Sequence, residues 1–224
     1  MPTGYESGKA WSPIGAQATV STSAASRVWT LNEVAAYEGA GTWPAPKIHW
    51  EAISTTTGTT GVASIEFSSI PQNFKDLRIV YVGQSSGNDS LFCEMGTGGG
   101  AVDTNNNNYG AVGVRAYDAS SLDQTESAWR KHPSFTFPHN SANQVAVGIW
   151  DFPNYTSTNF YKMTMFHGSS RNVTGNPGSS SAYGGPIWNG MNWKNTGALD
   201  RIKLAEDGGI TLTNYTCTLF GISG

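Results

Sequence analysis

The stretch from Val145 to His167 constrains the fold more than any other. Val145, Val147 and Ile149 alternate with Ala146, Gly148 and Trp150, and a period of two belongs to a strand rather than a helix. Asp151-Phe152-Pro153-Asn154-Tyr155 then ends the run, because proline cannot donate to a sheet ladder and asparagine tolerates turn geometry. After the polar corner Thr156–Asn159 the alternation resumes, with Tyr161, Met163 and Met165 on one face and Lys162 and Thr164 on the other. Two strands joined by a short polar corner pair antiparallel. This pair predicts the centre of a β-sandwich, with the remaining strands added to it.

The length of 224 residues allows a sizeable core without a covalent staple. Charged residues make up 13% of the chain, about half the usual ~25%. Ser, Thr, Asn and 27 glycines supply the polarity instead, which suits short strands with many turns and argues against a helical protein. A net charge of −3 gives no attraction to nucleic acid or to an anionic membrane. No apolar run reaches the ~20 residues of a membrane span, and Met1–Ala10 carries no hydrophobic segment of a secretory signal.

From His49 onward strands accumulate. Trp50–Thr55 is a first strand, ended by the run Thr56–Gly61. Ala63, Ile65 and Phe67 alternate with Ser64, Glu66 and Ser68 as a half-exposed strand. Leu77–Val82, apolar on both faces apart from Arg78, belongs inside a sheet. Leu91–Met95, Tyr109–Tyr117 and Ser134–Phe137 add further strands. Gly96–Asn108 is predicted as an exposed loop, Asp118–Ser127 as a polar connection with room for a helical turn, and Gly168–Ser181 as a long loop. Leu199, Ile202 and Leu204 point to the core, with Arg201 and Lys203 outward; Asp207-Gly208-Gly209 is a hairpin signal. Tyr215, Cys217 and Leu219 follow after a slip in parity at Thr213-Asn214 that predicts a bulge. Cys93 and Cys217 both fall in strands, as buried free thiols or as neighbours able to pair.

Residues 1 to about 46 differ from this body. Pro2–Ser26 is too polar to bury a core. Thr30 with Glu33 forms a capping box and Trp29 with Val34 a hydrophobic staple, which predicts a short helix over about Leu31–Glu38, followed by Gly41-Thr42-Trp43-Pro44. A helix this short needs a surface to dock on, either its own sandwich or another subunit. The organisation is thus an N-terminal arm over 1–46 and a sandwich domain over 47–224.

Several pieces carry a resemblance. They are Val28–Val34 with Gly41–Pro44, Ile65–Pro71 running into Phe74–Leu77, Ser85–Leu91, Ile149–Tyr155 with Asn159–Lys162, and Leu219–Ile222. In this order the chain resembles the small β-sandwich virion proteins of tailed phages, a cyanophage-like group of head decoration, fibre and tail proteins. Where that family often shows an Asn-Gly-Asp turn, this chain has Glu94-Met95-Gly96-Thr97-Gly98. The resemblance implies a jelly-roll-like antiparallel sandwich and a trimer. It also implies assembly with other virion proteins in the host cytoplasm.

The residues offer little chemistry. His49, His132, His139 and His167 are scattered, with no zinc spacing. Asp103–Asn108 has the start of a calcium loop but no glutamate at its twelfth position. Asp118, Asp123 and Glu126 are the carboxylates a glycosidase pair would need, with nothing to place them in a cleft. No catalytic residue, metal or cofactor is expected.

Tryptophan is in surplus, with eight in the chain. Trp50 and Trp150 are predicted in the core. Trp188 and Trp193, with Tyr183, sit among glycine and asparagine on a late loop, where rings and amides together could bind a host-surface glycan or plug the sandwich or a subunit contact. The expectation is a non-enzymatic structural component of a tailed-phage virion, on the head, tail or baseplate. Trp29, Leu31, Val34 and Trp43 would dock its arm on neighbours. The alternative is a carbohydrate-binding module for host-surface recognition through Tyr183, Trp188 and Trp193.

Overall fold

A computed structural model describes Asn32 and residues 50–87, 89–116, 122–128, 136–137, 145–169, 186–206 and 209–223. The chain divides into two units, Met1–Ile48 and His49–Gly224. Of the expected arm helix only Asn32, helical and exposed, is among the described residues.

Twelve strands form the body among the described residues: β1 (Trp50–Gly58), β2 (Ser64–Phe67), β3 (Asp76–Ser85), β4 (Asp89–Thr97), β5 (Tyr109–Ala116), β6 (Leu122–Ala128), β7 (Thr136–Phe137), β8 (Ala146–Phe152), β9 (Lys162–Ser169), β10 (Pro186–Trp193), β11 (Leu199–Glu206) and β12 (Leu212–Ile222). They make an eight-stranded sheet, β1-β12-β3-β8-β9-β10-β5-β6, and a four-stranded sheet, β2-β11-β4-β7. Every pairing between these strands is antiparallel. The fold is an all-β antiparallel sandwich. The pair β8–β9 lies at the middle of the large sheet, as the alternation predicts.

The two sheets share one apolar core. β3 contributes Leu77, Ile79 and Tyr81, β12 contributes Tyr215, Cys217 and Leu219, and the small sheet answers with Ile65, Phe67, Cys93, Met95, Ile202 and Leu204. At the centre Trp150 and Phe166 are register partners, with ring centroids 4.6 Å apart. The next pair along the same face is Gly148 with Gly168. A Cβ at Gly148 would lie 2.8 Å from the Trp150 ring, and one at Gly168 would lie 2.3 Å from Phe166. The two glycines are the space into which the two rings fold. A burial this complete makes Trp150→Ala a loss of about 3–5 kcal/mol.

The same packing decides which face of β9 is inside. Lys162, Thr164 and Phe166 are buried, whereas Tyr161, Met163 and Met165 are open. The division into two faces is as the sequence predicts, but hydrophobicity alone would turn the methionines inward. Phe166 and its neighbour Trp150 override that preference, and Lys162 is carried in with them. Its ammonium donates to the carbonyls of Ser157 and Thr196. Burial lowers its pKa from the usual lysine value.

Other expectations are corrected. Trp50 is 41% exposed rather than in the core; it starts an edge strand and lies against Phe220 and the Arg78 guanidinium. Thr56, Thr57 and Gly58 continue β1 rather than end it, since β-branched threonines suit an extended edge. The polar stretch expected as a connection contains β6, paired along β5 at the sheet edge. Pro186–Trp193 is a strand and not a loop; its proline stands first, where no donor is lost. The glycine turn after β11 is no hairpin, because β11 and β12 belong to different sheets. The predicted bulge is present, with a register shift between Thr213 and Thr216 and Asn214 at φ 45°. Cys93 and Cys217 are both free and buried.

Candidate interaction surface

Because the rings of β8 and β9 fold inward, the alternate residues of the large sheet face out, and many of them are apolar. Val82 on β3 pairs with Val147 on β8. Ile149 pairs with His167 on β9, and Asp151 with Met165. His167 pairs with Trp188 and Met165 with Gly190 on β10. Trp188 and Gly190 pair in turn with Val114 and Val112 on β5. An apolar band therefore crosses five neighbouring strands. Val112 is 60% exposed, Trp188 51% and Met165 50%, with Met163 and Val147 also open. These side chains leave on the order of 600 Å² of apolar surface uncovered, at the upper end of what an ordinary monomer shows.

Charged positions on this face stand at the two ends of the row: Arg78 and Asp151 on β3 and β8, and Glu126 on β6, the register partner of Val112. Arg78 on β3 donates through Nη2 to Asp151 Oδ2 at 2.9 Å and through Nε to Oδ1, and its guanidinium lies 4.1 Å from the Trp50 ring centroid. The pair neutralises itself and leaves the band beside it apolar.

The expected glycan residues are not brought together. Trp188 and Trp193 stand five apart on one strand, so they project from opposite faces. Trp188 is on the open face, but Trp193 is 1% exposed and stacks on Tyr109 with centroids 6.1 Å apart. Tyr183 lies outside the described residues. So do the arm residues Trp29, Leu31, Val34 and Trp43.

Trp193 has a structural partner in the segment expected as a plain loop. Its indole N–H donates to Asp103 Oδ2 at 2.9 Å. The same oxygen accepts from Asn108 Nδ2 at 2.7 Å, and Oδ1 accepts from the Asn105 amide at 2.9 Å. The Tyr109 hydroxyl donates to the Asp103 carbonyl and accepts from the Met95 amide. Burial raises the Tyr109 pKa well above the ordinary phenol value. The asparagine run is thus a clasp that closes the end of the core: Asn106–Asn108 form a 3-10 turn capped by Asn105. Its aspartate is engaged with donors from the protein itself.

Asp123 and Glu126 fall on edge strand β6, and Asp118 lies outside the described residues. Among the described residues no group of three or more His, Cys, Asp or Glu side chains could hold a metal ion. No helix among them is long and apolar enough to cross a membrane.

The apolar band escaped a reading based on aromatic and amide content, because its members are mostly valine and methionine spread over five strands. The signal that finds it is the parity of Trp150 and Phe166, which turns Val147, Met163 and Met165 to the other side. No family model and no curated protein matches the chain.

Proposed function

We propose that the chain is a non-enzymatic structural component of a tailed-phage virion that works through protein surfaces. The observation that carries this reading is the apolar band across β3, β8, β9, β10 and β5, which resembles the core of a protein interface more than it resembles a solvated sheet face. The ordered sequence pieces that resemble small virion proteins point the same way. In this reading the arm over 1–46 docks on neighbouring subunits through Trp29, Leu31, Val34 and Trp43, gaining order and affinity together. The sandwich then completes the contact through its open sheet face. The partners are other virion proteins and further copies of the chain.

Two changes test it in particles. A chain lacking residues 1–46 is expected to stay folded but fail to join particles. Met165→Lys, a change on the open face, is expected to keep the fold and lower incorporation. Normal incorporation of both would sink the reading.

A second reading is favoured by one observation, the open indole of Trp188 with Asn192 on the same face. A ring for the sugar's C–H face and an amide for its hydroxyls are the parts of a glycan site. Glycan-array binding that Trp188→Ala leaves unchanged would remove that site.

A further inference from the structure

The open face carries a projection and a recess on one strand. Trp188 stands out from β10, 51% exposed. Two residues on, roughly 7 Å along the strand, Gly190 has no side chain, and a Cβ built there would meet nothing closer than the Val112 carbonyl at 4.0 Å. Met165 and Val112, its register partners on either side, are both open and wall the recess.

We propose that this face is covered by a second copy of the chain, related by a two-fold axis that lies in the interface and crosses β10 at Asn189. The proposal rests on the reading of the face as a protein interface and names its occupant. A two-fold axis at that position carries each Trp188 over Gly190 of the partner subunit, so the projection and recess complement themselves.

Three observations favour a copy over a different protein. The first is that self-complementarity, which a two-fold contact requires and a foreign partner does not. The second is charge. Arg78 and Asp151 already satisfy each other, and Glu126 stands only at the far edge, on β6 beside Val112, so the middle of the band around Trp188 and Gly190 asks for no partner of opposite sign. That apolar middle meets an identical one without repulsion. The third is area. An open apolar surface on the order of 600 Å² is the central part of the ~800 Å² that each partner gives to a standard interface. Two twisted sheets stacked face to face, about 10 Å apart, would accommodate the indole between them.

Sedimentation equilibrium of the full chain tests this, with Trp188→Ala and Gly190→Arg as variants. Gly190→Arg fills the recess while its Cβ enters open space, so circular dichroism is expected to stay native. The native chain is expected to be a dimer, and each variant to weaken dimerisation by roughly thirty-fold or more, the loss typical of an interface anchor. A native chain that is monomeric or trimeric overturns the proposal, as does a dimer indifferent to Gly190→Arg. Oxidation of Met163 and Met165 in intact particles separates the two levels. A monomeric chain whose methionines are shielded in particles means that another virion protein covers the face, so the second copy fails and the interface stands. Unshielded methionines defeat both.

Discussion

The Asp103 carboxylate accepts the indole N–H of Trp193 at 2.9 Å, and through that bond an asparagine-rich surface segment is fastened to the aromatic end of the core. Asp103→Ala leaves a buried indole donor without its acceptor and releases Asn108 as well. Urea titration is expected to show a loss of about 2–3 kcal/mol. Asp103→Asn keeps one acceptor oxygen and is expected to lose less.

The two cysteines are structural. Burial raises the Cys93 thiol well above the ordinary thiol value and pushes Cys217 up to about 12. Neither is expected to react with a thiol reagent in the native protein at mildly alkaline pH, and both are expected to react after unfolding. A fast-reacting thiol in the folded chain would contradict the burial.

The same shifts set an alkaline limit on stability. For Cys217 the folded value of about 12 exceeds the ordinary 9.0. Above 9.0 the unfolded chain releases a proton that the native state retains, so stability is full below that pH and falls as pH rises. Tyr109 and Cys93 act in the same direction. Lys162 opposes them. Its folded pKa lies below the ordinary 10.5, so between the two values the unfolded chain holds the extra proton and stability rises with pH. Denaturation midpoints measured upward from pH 9 are expected to fall, and to fall more steeply in Lys162→Met.

Arg78 should resist conservative replacement. Its fork grips Asp151 through two nitrogens while its plane lies over Trp50. Lysine offers neither geometry. Arg78→Lys is expected to cost about 1 kcal/mol in denaturant titration.

Much of the fold is legible in the residues because its punctuation is local. Pro153 and Asn154 end β8, and Asn154 takes φ 49° in the turn as its side chain allows. The parity slip at Asn214 likewise needs only its neighbours. What local pattern cannot decide is which face of a strand is inside when both faces carry apolar groups. On β9 the choice is made by Phe166 meeting Trp150 over Gly148 and Gly168, a contact between strands. The same limit misplaces Trp193. Read as part of a loop it has no face, whereas on a strand its distance of five from Trp188 sends the two indoles apart. Local pattern does not mark Asp103 as a clasp, because its partners, Trp193 and Tyr109, are brought together by the pairing of β10 with β5.

In the assembled state the open face of the eight-stranded sheet is expected to lie buried against protein. Hydroxyl-radical footprinting of Met163, Met165 and Trp188, in intact particles against the isolated, diluted chain, measures this directly. Oxidation of all three is expected to drop several-fold in the particle, while exposed Phe160, outside the band, changes little. Equal oxidation of the three residues in both states would contradict it.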